Sequence, residues 1–137
     1  MFFKKNKKED EDKNFVKIAS LLIHAAKIDE NFSKTEEKII KEALLKLGAK
    51  NESLESIIKA GKLMEENANQ ILDFTREVKN MDENKKIQII ETLWQIIYSN
   101  KEADIYETNL MRRLAGLLYV DNKTMGDIKE KIKKENS

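Results

Sequence analysis

The side chains best suited to chemistry stand in two short polar stretches. In the first, "HAAKIDENFSKTEEKII" (residues 24–40), oxygen-bearing residues alternate at Asp29, Asn31 and Ser33, and Glu36 follows. Offset by 71 residues, "SNKEADIYETNLM" (99–111) brings Asn100, Glu102, Asp104 and Glu107 to the same places. Carboxylate and amide oxygens gathered between two helices are ligands for a hard cation. They suit Ca²⁺, Mg²⁺ or Mn²⁺ rather than copper or zinc. Asp29, Glu36, Asp104 and Glu107 are the primary metal candidates, with Asn31, Ser33, Asn100 and Glu102 as secondary ones.

Two readings of these turns compete. An EF-hand needs oxygen ligands at positions 1, 3 and 5, a glycine at 6 and a bidentate glutamate at 12. Counted from Asp29, positions 6 and 12 are Lys34 and Ile40; counted from Asn100, they are Ile105 and Met111. Neither turn is an EF-hand. The alternative is helix capping: Ser33 followed three residues later by Glu36 is a capping box, and Asp104 with Glu107 echoes it. Each such cap contributes about 1 kcal/mol to its helix. Capping accounts for Ser33, Glu36, Asp104 and Glu107 without a ligand, but not for Asp29, Asn31 and Glu102, which lie upstream of the caps.

Other chemistries fail on composition. With no cysteine the chain has no disulfide, zinc ribbon, iron–sulfur cluster or thiol nucleophile. One histidine, His24, cannot form an HExxH motif. Helical spacing puts it on the polar side of its helix with Lys13, Lys17, Ser20 and Lys27, where no partner for it is visible. Gly61-Lys62 lacks the upstream glycine of a phosphate loop. With no catalytic constellation in view, the chain reads as a binding protein and not an enzyme.

The elements that position these turns are helical. Of 137 residues none is proline and four are glycine, and 37% are charged. A first helix begins near Asp12 with Phe15, Ile18, Leu22 and Ala25 on its apolar stripe, widened by Val16, Ala19, Ile23 and Ala26. A second runs from about Lys34 through Ile39, Ile40, Ala43, Leu44 and Leu47 and stops at Gly48. Between residues 49 and 81 the pattern is weaker: Leu54, Ile57, Ile58 and Met64 suggest one helix, and Ile71, Leu72, Thr75 and Val78 a shorter one. How these pack is open. Asp82 is a natural N-cap for a strong helix carrying Ile87, Ile90, Leu93, Trp94 and Ile97, with Trp94 as a core anchor. Leu110, Met111, Leu114, Leu117 and Leu118 mark the next helix, and "DNKTMGDIKEKIKK" the last.

The 71-residue offset superposes more than the turns. "SLLIHAAKIDENFSKTEEKIIKEALLKL" lies over "ETLWQIIYSNKEADIYETNLMRRLAGLL", pairing Leu22 with Leu93, Ile39 with Leu110, Ile40 with Met111 and Leu47 with Leu118. The expected fold is therefore all-α, a compact domain of about six to seven helices with an internal pseudo-twofold repeat of helix–turn–helix units. A flexible charged tail (1–12) precedes one domain (13–133), and residues 134–137 fray.

The units "AAKIDENFSKTEEKII" and "YSNKEADIYETNLMRRLAGLL" resemble the two halves of a tellurite-resistance TerB-like domain, in its small stand-alone bacterial branch. The second matches better, from Tyr106 through Arg112 and Arg113 to Leu118, and the similarity covers roughly 13 to 133. The resemblance implies an all-helical pseudo-repeat with no settled enzymatic activity, a place in stress response, and acidic turns that take a divalent metal. Relatives carry Asp-Gly, then Glu seven residues after the Asp. Asp29 with Glu36 fits; in the second half Glu107 fits, but Asn100 replaces the Asp, and Glu30 and Lys101 replace the glycines. Any second-half metal site is expected to be the weaker. The chain itself, lacking thiols, cannot reduce an oxyanion by thiol chemistry.

Charge limits the partners. Twenty-six basic and 25 acidic side chains leave a net charge of +1, which gives no general pull toward nucleic acid. Another protein is the expected partner. Phe2 and Phe3 with the lysines of Lys4 to Lys8 offer a weak peripheral contact with anionic lipid, but a solvated charged tail is the plainer reading. No signal peptide or membrane span is visible, so the expected location is the cytoplasm. Two rivals remain. A structural adaptor would bind protein through a helix groove, with both turns serving only as caps and no metal dependence. A carboxylate-based metal hydrolase would need the two turns to converge on one centre.

Overall fold

A computed structural model describes the backbone of residues 2–29, 32–67, 72–99 and 105–135, and the side chains of 13–28, 32–67, 74–99 and 106–135. Among the described residues seven α-helices follow one another: α1 (Phe2–Ala26), α2 (Lys34–Lys46), α3 (Leu54–Asn67), α4 (Leu72–Lys79), α5 (Glu83–Tyr98), α6 (Ile105–Leu117) and α7 (Asn122–Glu135). Short 3₁₀ turns at Lys27–Asp29 and Asn51–Ser53 lead into α2 and α3. No strand occurs among the described residues.

α1 is the axis of the bundle. It packs most extensively on α3, and also on α4, α5 and α2, while α5 packs on α7 and α2. Ile18, Ala19, Leu21, Leu22 and Ile23 are all buried, so this stretch of α1 is covered all round. Ser20, which helical spacing assigns to the polar side, is fully buried as well. It stays hydrogen-bonded inside: its hydroxyl donates to the Val16 carbonyl at 2.8 Å and to Gly61 at 3.2 Å. A buried hydroxyl left unpaired would cost about 1–3 kcal/mol, which these bonds avoid. α1 also starts earlier than its stripe predicts, at Phe2. Ahead of Phe15 no apolar periodicity marks it, but Lys5 and Glu9, Lys7 and Glu11, and Lys8 and Asp12 stand four apart with opposite charge, a spacing helices favour.

Gly61 explains the close α1–α3 contact. A Cβ there would lie 3.0 Å from the Cβ of Ala19 and 3.3 Å from Cδ1 of Ile23, so the two helices approach as closely as a missing side chain allows. The glycine beside Lys62 serves packing.

α2 ends as its sequence indicates. Gly48 takes φ +110°, its N–H donates to Leu45 at 3.1 Å, and Ala49 donates to Leu44 at 2.9 Å. That bond pair is a Schellman motif. α6 ends the same way 71 residues later: Val120 donates to Ala115 at 2.9 Å and Tyr119 to Gly116 at 3.4 Å, with Tyr119 at φ 57°. Tyrosine is an unusual occupant of the left-handed region. Its exposed ring faces Lys79, whose ammonium lies 4.7 Å from the ring centroid in a cation–π contact. At the matching place on α5, Lys86 is buried and donates from Nζ to the carbonyl of Leu118 at 3.0 Å, capping the end of α6.

Asp82 caps α5 as expected, accepting from the Lys85 N–H at 3.0 Å. Trp94 is a core residue, 3% exposed, stacked on Tyr98 at 5.9 Å with Lys129 over its ring. Among the described residues its buried indole N–H meets no hydrogen-bond acceptor. The middle helices settle the packing left open by the sequence. α3 lies along α1, and α4 fits against α1 and α6 with Phe74, Thr75 and Val78 buried.

Candidate functional site

The first acidic turn begins where the 3₁₀ turn Lys27–Asp29 ends and closes at Ser33, which takes an extended backbone (φ −84°, ψ 164°) and caps α2. Ser33 Oγ accepts from the Glu36 N–H at 3.1 Å, and Glu36 Oε1 accepts from the Ser33 N–H at 2.9 Å. This is the reciprocal capping box expected from the spacing. It leaves Glu36 1% exposed, which is unusual for a glutamate.

In the second turn Glu107 occupies the third residue of α6, the step that Glu36 occupies in α2. It is 5% exposed. Its neighbourhood is marked by Tyr98, whose hydroxyl is pushed above the usual tyrosine value by burial first and then by the carboxylates of Glu130 and Glu107. Asp29 is described in its backbone alone. Asn31, Asn100, Glu102 and Asp104 lie outside the described residues, so the capping partner expected for Glu107 lies there too. Among the described residues no three histidine, aspartate or glutamate side chains come together as a metal cluster.

The helix ends that carry the two turns are neighbours. Thr35 at the start of α2 and Tyr98 and Ser99 at the end of α5 line one cleft of about 480 Å³. The chain directions of α2 and α5 are opposed along it, since Ala43 and Lys46 line a second cleft with Gln88.

His24 was expected to have no partner, and α3 supplies one. Its Nδ1 lies 3.4 Å from Glu65 Oε1, and Lys27 reaches the other oxygen of Glu65 at 2.9 Å. The partner comes from 41 residues away, so helical spacing within α1 could not reveal it. His24 also lies against Phe74 of α4, with ring centroids 6.3 Å apart. These contacts tie α1 to α3 and α4.

Sequence reasoning missed Lys86 and Ser20 as buried polar residues. Lys86 sits in a run of charged residues and Ser20 among lysines, and nothing local distinguishes them. The one available signal was the offset, which places Lys86 opposite the apolar Phe15.

Among the described residues no helix is long and apolar enough to cross a membrane. No match was found among curated proteins or among solved structures. The model of one family, described as tellurite resistance protein TerB, does match, over residues 15–130. That span runs from the middle of α1 into α7 and takes in both acidic turns, and the chain belongs to the TerB family.

Proposed function

We propose that this TerB-family domain acts by binding and not by catalysis, and that its acidic inter-helix turns take a divalent cation within a tellurite-resistance-type stress response. The observation that carries this reading is the pair Glu36 and Glu107, two glutamates at the same step of α2 and α6, 1% and 5% exposed. Carboxylates so placed keep their charge only where hydrogen bonds, helix N-termini or positive ions surround them. Glu36 Oε1 accepts from the Ser33 N–H, which holds this carboxylate at the mouth of its turn. The donor set of Asp29, Glu36, Asp104 and Glu107 is hard oxygen, matched to Ca²⁺, Mg²⁺ or Mn²⁺. Bound there, a cation would tie each turn to the first step of the following helix.

The capping box favours a second reading, an adaptor that uses no metal. Thermal unfolding separates the two. A site in the folded state filled at 100 times its dissociation constant adds about 2.7 kcal/mol. For a chain of this length that raises the midpoint by roughly 8 to 13 °C. The expected result is such a rise with Ca²⁺, Mg²⁺ or Mn²⁺ over chelator, absent in Asp29→Ala, with the folded baseline retained. No rise with any of the three leaves the turns as caps and the domain as an adaptor.

A further inference from the structure

The seat of α4 has a counterpart elsewhere in the bundle. α4 rests on α1 and α6, where Glu77 pairs with Lys17 at 2.8 Å and Phe74 meets His24. The 71-residue offset carries α1 onto α5, α6 onto α2, Lys17 onto Gln88 and His24 onto Gln95. Gln88 and Gln95 line the cleft between α5 and α2, about 260 Å³ in volume, which continues into the one of about 480 Å³. No helix of the described chain fills this place. The lining residues of α2 run from Thr35 to Lys46, a length of roughly 16 Å at 1.5 Å per residue, enough for the two turns of a helix like α4.

We propose that the α2–α5 groove docks a short amphipathic helix of a partner protein, one that carries lysine or arginine beside its apolar face. The floor accepts small apolar contact: Ala43 and Thr92 are nearly buried, and Ile39 lies partly buried beside them. The walls set the charge. Glu42 and, at the far end, Glu135 have no ion-pair partner among the described residues, and Glu91 has only the exposed Lys131 at 3.4 Å. Lys46 is the one cation among the residues lining the two clefts. Where α4 brings Glu77 to a lysine, an occupant of this groove meets glutamines and glutamates, so its flanking residues must be basic. The floor is also less apolar than the α4 seat, with Thr92 where α1 has Leu21 and Ala43 where α6 has Leu114. That difference suits an occupant that comes and goes, whereas α4 is permanent.

The probe is a helix-stapled synthetic peptide of the α4 sequence, LDFTREVK, in two forms: unaltered, and with Asp73→Lys and Glu77→Lys. Each is titrated into the full-length protein in chelator, following the backbone amide signals of Ala43, Thr92 and Gln95 by NMR. Chelator keeps the acidic turns out of the readout, so a failure here leaves the cation reading standing. The expected result is saturable shifts at these residues with the lysine form, and at least tenfold weaker binding of the unaltered form. In a Glu42→Lys, Glu91→Lys protein, with neither position in the core, the order of the two peptides reverses. The proposal is overturned if neither peptide shifts these amides at millimolar concentration, if the shifts fall elsewhere, or if charge reversal leaves the order unchanged. Movement of the same signals on simple dilution, without peptide, would make the occupant a second copy of this chain and overturn the assignment to a partner protein.

Discussion

At the scale of single residues, the fold depends on polar groups whose partners come from distant segments. Lys86 is the clearest. Its ammonium is nearly buried, it donates to the Leu118 carbonyl, and Glu83 stands 3.6 Å away on the solvent side. A hydrogen bond from a charged group contributes about 1.5–3 kcal/mol, offset in part by the cost of burying the charge. Lys86→Met keeps the stem packing and removes the bond. The expected loss is about 1–2 kcal/mol, read as a fall in the urea midpoint with an unchanged m-value. An unchanged midpoint would mean that the carbonyl is satisfied without the lysine.

At the scale of elements, the helix ends are set by caps whose chemistry gives them a pH dependence. Asp121 precedes α7 and accepts from the Thr124 N–H at 2.7 Å. Backbone and side-chain hydrogen bonds from Thr124 hold its carboxyl below the ordinary value of 3.8. As the pH falls, the unfolded chain takes up this proton before the folded one. The stabilisation is therefore fully present above the ordinary value and is lost as pH falls through the depressed folded value. Asp121→Asn keeps an N-cap oxygen but cannot titrate. The thermal midpoint of this variant should fall less steeply than that of the parent between about pH 5 and pH 2. Parallel curves would show that the Asp121 bond contributes nothing to the folded state.

At the scale of the whole molecule, stability rests on how closely α3 approaches the central helix. Glycine inside a helix usually costs about 1 kcal/mol relative to alanine, so replacing it should help. At Gly126, where a Cβ meets nothing within 4 Å, alanine is expected to raise the thermal midpoint by a few degrees. At Gly61 the same change drives a methyl to 3.0 Å from Ala19 Cβ on a buried helix. Overpacking of that kind costs about 1–3 kcal/mol and outweighs the propensity gain. Gly61→Ala should therefore lower the midpoint while Gly126→Ala raises it, in parallel melts followed by circular dichroism. If both rise, α1 and α3 can part without cost and the packing argument fails.

The sequence by itself determined the helical class, the ends of α2, the cap of α5 and the capping box at Ser33 and Glu36. Each depends on residues within a few positions of one another: a stripe repeating every three or four residues, a glycine after a helix, a serine three ahead of a glutamate. The family was also legible, because its turn-and-helix pattern is local. Tertiary structure alone decided which polar residues go inside and what they meet. Ser20 is buried because Gly61 brings α3 against it, His24 is partnered because Glu65 lies one helix away, and Lys86 is enclosed because the end of α6 folds over it. The same distinction divides the candidate site. The oxygen ligands and their matched spacing in two turns are visible along the chain. The burial of Glu36 and Glu107 to 1% and 5%, and the cleft that the start of α2 shares with the end of α5, are not. Burial is a property of the helices packed around a residue, and no short-range pattern encodes those.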